Sequence, residues 1–338
     1  MVSYTGKFRE SDHMKDHALI GRSYKNQTTN TVQECFSVCI NDCRCVSYQL
    51  SGRRCELIDE DRHTAPNLFI PLSNSVGCSS QCNNGCCHYS KPCLNGGTCI
   101  ETCQNVTHKF QCKCPKGFSG RVCQIPPLSC AAYSHMSVPN IYPIYTTKGK
   151  ALKVYCDMSS ERGMVWTLIE SFALLAKEKI QAAPMTMDFP SNEENPPNWS
   201  DYRLSHNSMQ DVKRDATHWR ATCNYDTDGL VKTDYIRGRL SEMDILTYMG
   251  GFTCARVEYI NVRGISCQNC TTHFRQDSVA HPFVDSGHGL NIDCQWNGRH
   301  GAVGYWCDNF GRYEIINPAH RCSSSSSSTT QWWLGKTV

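Results

Sequence analysis

Few residues in this chain have the types and spacing that chemistry needs. Asn224-Tyr-Asp226-Thr-Asp228-Gly229 reproduces the first half of a calcium loop, in which alternating oxygen ligands and a glycine turn wrap a hard cation. The closing glutamate is missing and Tyr235 stands in its place. Half a loop supplies too few oxygens, so a polar surface turn is the favoured reading of Asn224, Asp226 and Asp228. Cys267-Gln-Asn-Cys270 has the spacing of a redox pair or a zinc knuckle, but no second pair at zinc spacing accompanies it, and a structural role is expected. His273, His281, His288 and His300 show no ligand spacing, and the sequence has no HExxH. It also has no GxSxG turn, no matched Cys and His with an orienting group, and no phosphate-cradling glycine loop; Gly287-His-Gly289 reads as a turn. The chain is therefore expected to be no enzyme and to carry no cofactor. Trp296, Tyr305, Trp306, Phe310, Tyr313, Trp332 and Trp333 can in principle stack on sugar rings, although filling a core is the favoured role.

Cysteine dominates the scaffold that must position these residues. The 24 cysteines in 338 residues exceed what a reducing cytosol leaves as free thiols, so an oxidising compartment and a secreted protein are expected. Hydrophobic residues at 40% are thin for large cores, which shifts the expected burden of stability onto disulfides. Lys+Arg 34 against Asp+Glu 31 leaves +3, with no polybasic or polyacidic field to favour nucleic acid, anionic lipid or bare mineral. No apolar run approaches the roughly 18 residues of a transmembrane segment. The opening MVSYTGKFRESDHMKDH lacks the apolar stretch of a secretory signal, so Met1 is expected to be internal or the signal to lie outside this sequence. Sequons at Asn26, Asn105, Asn198 and Asn269 fit a glycosylated secreted chain; Asn269 is the weakest, because Cys270 is its middle residue.

The cysteines fall into groups spanning Cys35 to Cys78, Cys82 to Cys123 and Cys130 to Cys322, separated by Ser79 to Asn84 and by Pro126-Pro127. A multidomain α+β chain of small disulfide-rich modules is expected, with modules at 1–80, 82–124 and 127–338. In the first, Thr31-Val-Gln-Glu34 is a capping box, and Val32, Cys35, Phe36, Cys39 and Ile40 form an apolar helical stripe. Val46, Tyr48 and Leu50, a Ser51-Gly52 turn, then Cys55 and Leu57 read as a hairpin. Helix plus hairpin with these cysteines resembles a PAN/apple module. The resemblance implies bonds Cys35 to Cys55 and Cys39 to Cys45, leaving Cys43 and Cys78 for each other.

Cys87, then Pro92-Cys93-Leu-Asn-Gly-Gly-Thr-Cys99, then Cys112-Lys-Cys114-Pro-Lys-Gly-Phe118-Ser-Gly-Arg-Val-Cys123 resembles an EGF-like domain. The resemblance implies Cys87 to Cys99, Cys93 to Cys112 and Cys114 to Cys123. Cys82, Cys86 and Cys103 are extra: Cys103 is expected to bridge one of the other two, leaving one cysteine for the odd downstream group or another chain. The stretch from Cys103 to Cys112 resembles the hydroxylation pattern of calcium-binding EGF modules, but the acidic ligands before the first cysteine are missing, and calcium is not expected there.

Cys130, Val154-Tyr155-Cys156-Asp157-Met158 and Gly163-Met-Val-Trp166-Thr-Leu-Ile169 resemble the opening of a fibrinogen C-terminal domain, divergent after about residue 170. Cys130 to Cys156 is the implied first bond; lectin activity does not transfer, since the later calcium and sugar-pocket motifs are absent. With HWRATCNYDTDG, DNFGRYEIINPAHRCSSSSSS and TTQWWLG, the module combination resembles secreted proteins of corals and sea anemones, including skeletal organic matrix proteins of stony corals. That resemblance implies an extracellular matrix component of the coral skeleton, partnered by other matrix proteins or glycans. Direct mineral binding is expected to be weak, because dense acidic runs are absent. A secreted carbohydrate-binding recognition protein related to fibrinogen lectins is the alternative.

Overall fold

The computed structural model describes residues 14–19, 21, 23–42, 44–45, 47–59, 67, 69–79, 87, 91–105, 108–136, 138–284, 294–296 and 310–338. The chain divides into two compact units, Met1–Ile125 and Pro126–Val338.

In the first unit, Thr31 caps α1 (Val32–Ile40): its Oγ1 accepts from the Glu34 amide at 3.1 Å, and Glu34 reaches back to the Asn30 amide at 2.7 Å. The helix presents Cys35 and Cys39 to a small buried cluster with Tyr48, Leu50 and Leu57. Cys35 is bonded to Cys55 and Cys39 to Cys45, so two staples fasten one helix face. The sheet beneath runs β1-β5-β3-β4-β2, with β1 Met14–Leu19, β2 Ser23–Thr28, β3 Ser47–Ser51, β4 Arg54–Ile58 and β5 Phe69–Ser79. Gly52, at φ 60°, supplies the left-handed residue of the β3–β4 turn.

The EGF-like segment adds a two-stranded ribbon, β6 (Thr98–Asn105) and β7 (His108–Lys113), closed by Cys87–Cys99, Cys93–Cys112 and Cys114–Cys123. A Cβ at Gly97 would lie 2.8 Å from the Cys123 sulfur, which is why that turn needs glycine. The EGF-like segment also contacts the preceding segment within the unit. Arg121 lies 5.1 Å from the Phe110 ring centre and donates to the Arg44 carbonyl at 3.2 Å and the Asp59 carbonyl at 2.5 Å.

Among the described residues the second unit forms one antiparallel sheet of ten strands. They are β8 (Asn140–Tyr145), β9 (Ala151–Asp157), β10 (Met164–Ala173), β11 (Asp201–Arg203), β12 (His218–Cys223), β13 (Tyr235–Arg239), β14 (Gly250–Val262), β15 (Ile265–Asp277), β16 (Ala280–Val284) and β17 (Thr329–Thr337). The order is β16-β15-β14-β13-β12-β17-β10-β9-β8, with β11 on β10. The last strand in sequence thus lies near the middle of the sheet, between β12 and β10. The short α-helices α2 (Lys177–Gln181), α3 (His206–Lys213) and α4 (Tyr225–Asp228) accompany it among the described residues.

Two expectations change here. With helices of 9, 5, 8 and 4 residues among the described residues, the fold is mainly β and not an even α+β mixture. The core of the second unit is also larger than the hydrophobic content suggested, because Trp166, Trp219, Trp332 and Trp333 are all fully buried and each covers much apolar area. Glycine makes room for two of them. A Cβ at Gly335 would lie 2.3 Å from Trp166, and one at Gly238 would lie 2.6 Å from Trp219.

Candidate functional site: the aromatic and ionic face of the second unit

The strand period of two separates Trp332 from Trp333. Trp332 shares the apolar face with Trp219, the two rings stacked at 6.0 Å, and with Ala221 and Ile236. Trp333 faces the other way and pairs across β12 with Arg220, which in turn pairs with Arg237 on β13. That second face carries His218, Arg220 and Thr222, alternating with Trp219, Ala221 and Cys223 in the one strand HWRATC. This alternation of polar with apolar residues is the sequence signal that finds the site; motif spacing does not.

Arg220 is the centre. Its guanidinium carbon lies 4.5 Å from the Trp166 ring centre, 4.7 Å from that of Trp333 and 5.5 Å from that of Tyr225. It donates to Asp157 at 2.6 Å, to Glu161 at 3.1 Å and to the Ser160 hydroxyl at 3.1 Å. Burial pushes the Asp157 carboxyl up, but Arg220 and the hydrogen bonds of Ser160 outweigh it and hold the group below the usual carboxylate range. Glu161 also accepts from the Tyr235 hydroxyl at 2.9 Å and from Arg237 at 3.1 Å. Arg237 passes the network outward to Glu258 at 2.9 Å, which Arg239 reaches at 2.7 Å, and His218 lies 3.4 Å from the same carboxylate. At the far rim, Tyr155 and Trp199 are half-buried and meet edge to face at 5.0 Å. Stacking surface at one end and paired charges at the other suit recognition of a polar ligand.

A second ionic cluster lies in the interior. Glu170, fully buried, accepts from Arg203 at 2.7 Å and lies 2.5 Å from His281, while Arg203 also donates to the Ala183 and Pro184 carbonyls. Its contacts brace the loop before β11.

The residues singled out in the sequence that the structure describes take structural roles. Asn224, in the left-handed conformation, accepts from the Thr329 amide at 2.8 Å and donates to the Arg321 carbonyl at 3.0 Å. Asp226 accepts from Thr329 Oγ1 at 2.5 Å, and Asp228 pairs with Arg321 at 2.5 Å, whose hydrogen bond holds that carboxyl below its usual range. The three oxygens sets face protein partners and tie the C-terminal segment to α4. Among the described residues no group of three or more His, Cys, Asp or Glu side chains is arranged for a metal ion, and Asn224, Asp226 and Asp228 have a bracing role in this turn.

Trp296, Phe310, Tyr313, Trp332 and Trp333 are all buried, which removes them as a sugar platform; Tyr305 and Trp306 lie outside the described residues. Cys267 and Cys270 are bonded to each other on β15, with Asn269 between them at φ 48°. Cys130 is bonded to Cys156. Two further bonds, Cys223–Cys322 and Cys254–Cys294, had no local signal. Cys43, Cys82 and Cys86, and with them the expected pairings of Cys78 and Cys103, lie outside the described residues, as do His288 and His300. His273 and His281 are buried. Among the sequons, Asn26 and Asn269 are exposed, Asn198 is half-buried and accepts from the Asp201 amide at 3.3 Å, and Asn105 ends β6.

His320 gives the unit a measurable pH dependence. It is fully buried, 3.8 Å from Asp234, and burial lowers its pKa to about 4 against the opposing pull of Asp234. An unfolded histidine binds its proton near pH ~6.5, whereas the folded one waits until about 4, so stability is expected to fall by about 3 kcal/mol as pH drops through that window and then level off. Denaturation midpoints measured against pH should show a shallower slope in His320→Gln between those limits. An unchanged slope would remove His320 as the cause.

No protein-family model matches the chain. Part of it resembles three curated proteins. Delta-like protein 3 of Mus musculus is 32% identical over 91 residues, 27% of this chain and 14% of its own length. Protein jagged-1 of Homo sapiens is 48% identical over 44 residues, 13% of this chain and 3% of its own. Latent-transforming growth factor beta-binding protein 1 of Mus musculus is 33% identical over 96 residues, 28% of this chain and 4% of its own. Taken with the interleaved bonds Cys87–Cys99, Cys93–Cys112 and Cys114–Cys123, these matches decide one point. The chain carries an EGF-like module. It spans a small fraction of each of these relatives, 14% at most among the three. Among the described residues no helix is long and apolar enough to cross a membrane.

Proposed function

We propose that the chain is a secreted, non-enzymatic modular matrix protein that acts by binding other matrix proteins or glycans, in a PAN/apple-like, EGF-like and fibrinogen-like arrangement. The observation that carries this reading is covalent: nine disulfides among the described residues staple both units, as an oxidising extracellular setting permits. The helix-and-hairpin staples of Cys35–Cys55 and Cys39–Cys45 support the PAN-like part, and Cys130–Cys156 beside the Asp157 strand supports the fibrinogen-like part. The skeletal organic matrix of a stony coral is the site of action this reading favours.

The test is recovery of the native protein by demineralising coral skeleton, in parallel with cell-surface extracts, followed by non-reducing peptide mapping. Skeletal recovery with these bonds intact is the expected result; free thiols, or recovery from cells alone, would overturn it. A second reading, a carbohydrate-recognition protein, is favoured by the half-buried Tyr155–Trp199 pair. Selective retention of one neutral glycan on an array, lost in Trp199→Ala, would establish that reading.

A further inference from the structure

The charges on the second face are sorted by depth. Glu161 and Glu258 leave 4% and 16% of their side chains exposed, whereas Lys232 and Arg239 leave 58% each and Arg237 leaves 27%. Lys232, 3.7 Å from Glu161, and Arg237 share that carboxylate; Arg237 and Arg239 share Glu258. On β14, Arg256 lies between the buried Ala255 and Val257 and so projects from the same outer face; it is exposed and makes no ion pair among the described residues. A network close to neutral in its sum therefore presents cations to solvent and keeps carboxylates beneath them. The nearly balanced net charge of the chain hides this, because it counts charges without their depth.

We infer that this rim, Lys232, Arg237, Arg239 and Arg256, binds a sulfated polysaccharide. Guanidinium forks match sulfate and carboxylate oxygens in paired hydrogen bonds. Arg237 and Arg239 stand two residues apart on one strand and point the same way, which spaces them about 7 Å along an extended ligand. Tyr259, opposite Arg237 and half-buried, sets a phenol ring among the cations, where a sugar ring can pack against it. Phosphate on a membrane or a duplex offers charge without that ring contact. The inference rests on the matrix reading and narrows its glycan partner to sulfated chains.

The experiment measures binding of the full chain to immobilised heparin across a salt series, beside chemically desulfated heparin, double-stranded DNA and anionic phospholipid vesicles. Wild type is expected to bind heparin with an affinity that falls steeply with salt and to bind the desulfated chain far less. The variant Lys232→Gln, Arg239→Gln, Arg256→Gln changes exposed side chains and is expected to weaken heparin binding by about tenfold or more at physiological salt. A matched variant, Lys116→Gln, Lys148→Gln, Arg214→Gln, removes as many exposed cations elsewhere and is expected to keep wild-type binding. Equal losses in the two variants, or equal binding to desulfated heparin, would overturn the inference, and so would tighter binding to DNA or vesicles than to heparin. Retention of the chain by demineralised matrix without any heparin binding would sink the rim and leave the matrix reading standing.

Discussion

Arg220→Met is expected to lower the folding stability of the chain by about 3–5 kcal/mol, because it strands the Asp157 carboxylate in a site that water does not reach and leaves Glu161 to Arg237, Lys232 and Tyr235 alone. Arg220, Asp157 and Glu161 expose 0%, 0% and 4% of their side chains, so neither acid can recover its lost partner from solvent. Methionine fills a similar volume between the Trp166 and Trp333 rings and thus isolates the loss of charge from the loss of packing. Arg220→Lys keeps a charge but cannot donate to Asp157, Glu161 and Ser160 together in one plane or stack flat between two indoles, and it should recover only part of the deficit. The decisive variant is the triple Arg220→Met, Asp157→Asn, Glu161→Gln. With no uncompensated charge left, it should be more stable than Arg220→Met alone, although Glu161 also serves Tyr235 and Arg237 and its amide cannot satisfy Arg237 equally. Urea midpoints of the three variants test this. A loss below about 1 kcal/mol in Arg220→Met would show that the cluster is a surface decoration and not the anchor of that face.

What the sequence discloses about this chain is what is local. The capping pair Thr31 and Glu34 is three residues apart, and Cys35 and Cys39 are one helical turn apart on the same apolar stripe, so both can be read by spacing alone. The EGF-like cysteines close loops of 9 to 19 residues, short enough for spacing to carry information about pairing. The aromatic and ionic face is different in kind. Asp157, Trp166, Arg220, Arg237 and Trp333 come from five strands, and they meet only because β17 enters the sheet between β10 and β12. Nothing in the motif TTQWWLG announces that position, and adjacent Trp332 and Trp333 read as one aromatic cluster until strand geometry sends them to opposite faces. The half-motif at Asn224 hides its partners for a related reason. Its oxygens are spaced for a calcium loop, but Thr329 and Arg321, about a hundred residues on, claim them first.

The bond that secures this arrangement is Cys223–Cys322, and its removal is expected to be the costliest among the described disulfides of the second unit. Its partners are 99 residues apart, both buried, at the end of β12 and just before β17. Holding those points together removes loop-closure entropy from the unfolded chain, which for a loop of this length amounts to about 4–5 kcal/mol. The bond also fixes the return of β17 to the middle of the sheet, where its neighbours include Trp166 and Arg220. Cys267–Cys270 provides the internal control, since its partners are 3 residues apart on one strand and loop closure there accounts for only about 2 kcal/mol. The measurement is a comparison of Cys223→Ala, Cys322→Ala with Cys267→Ala, Cys270→Ala by denaturant midpoint and by limited proteolysis. The first pair should lose at least about 2 kcal/mol more than the second and expose β17 to cleavage. Equal losses would mean that the packing of Trp332 and Trp333, and not the covalent closure, holds the final strand in place.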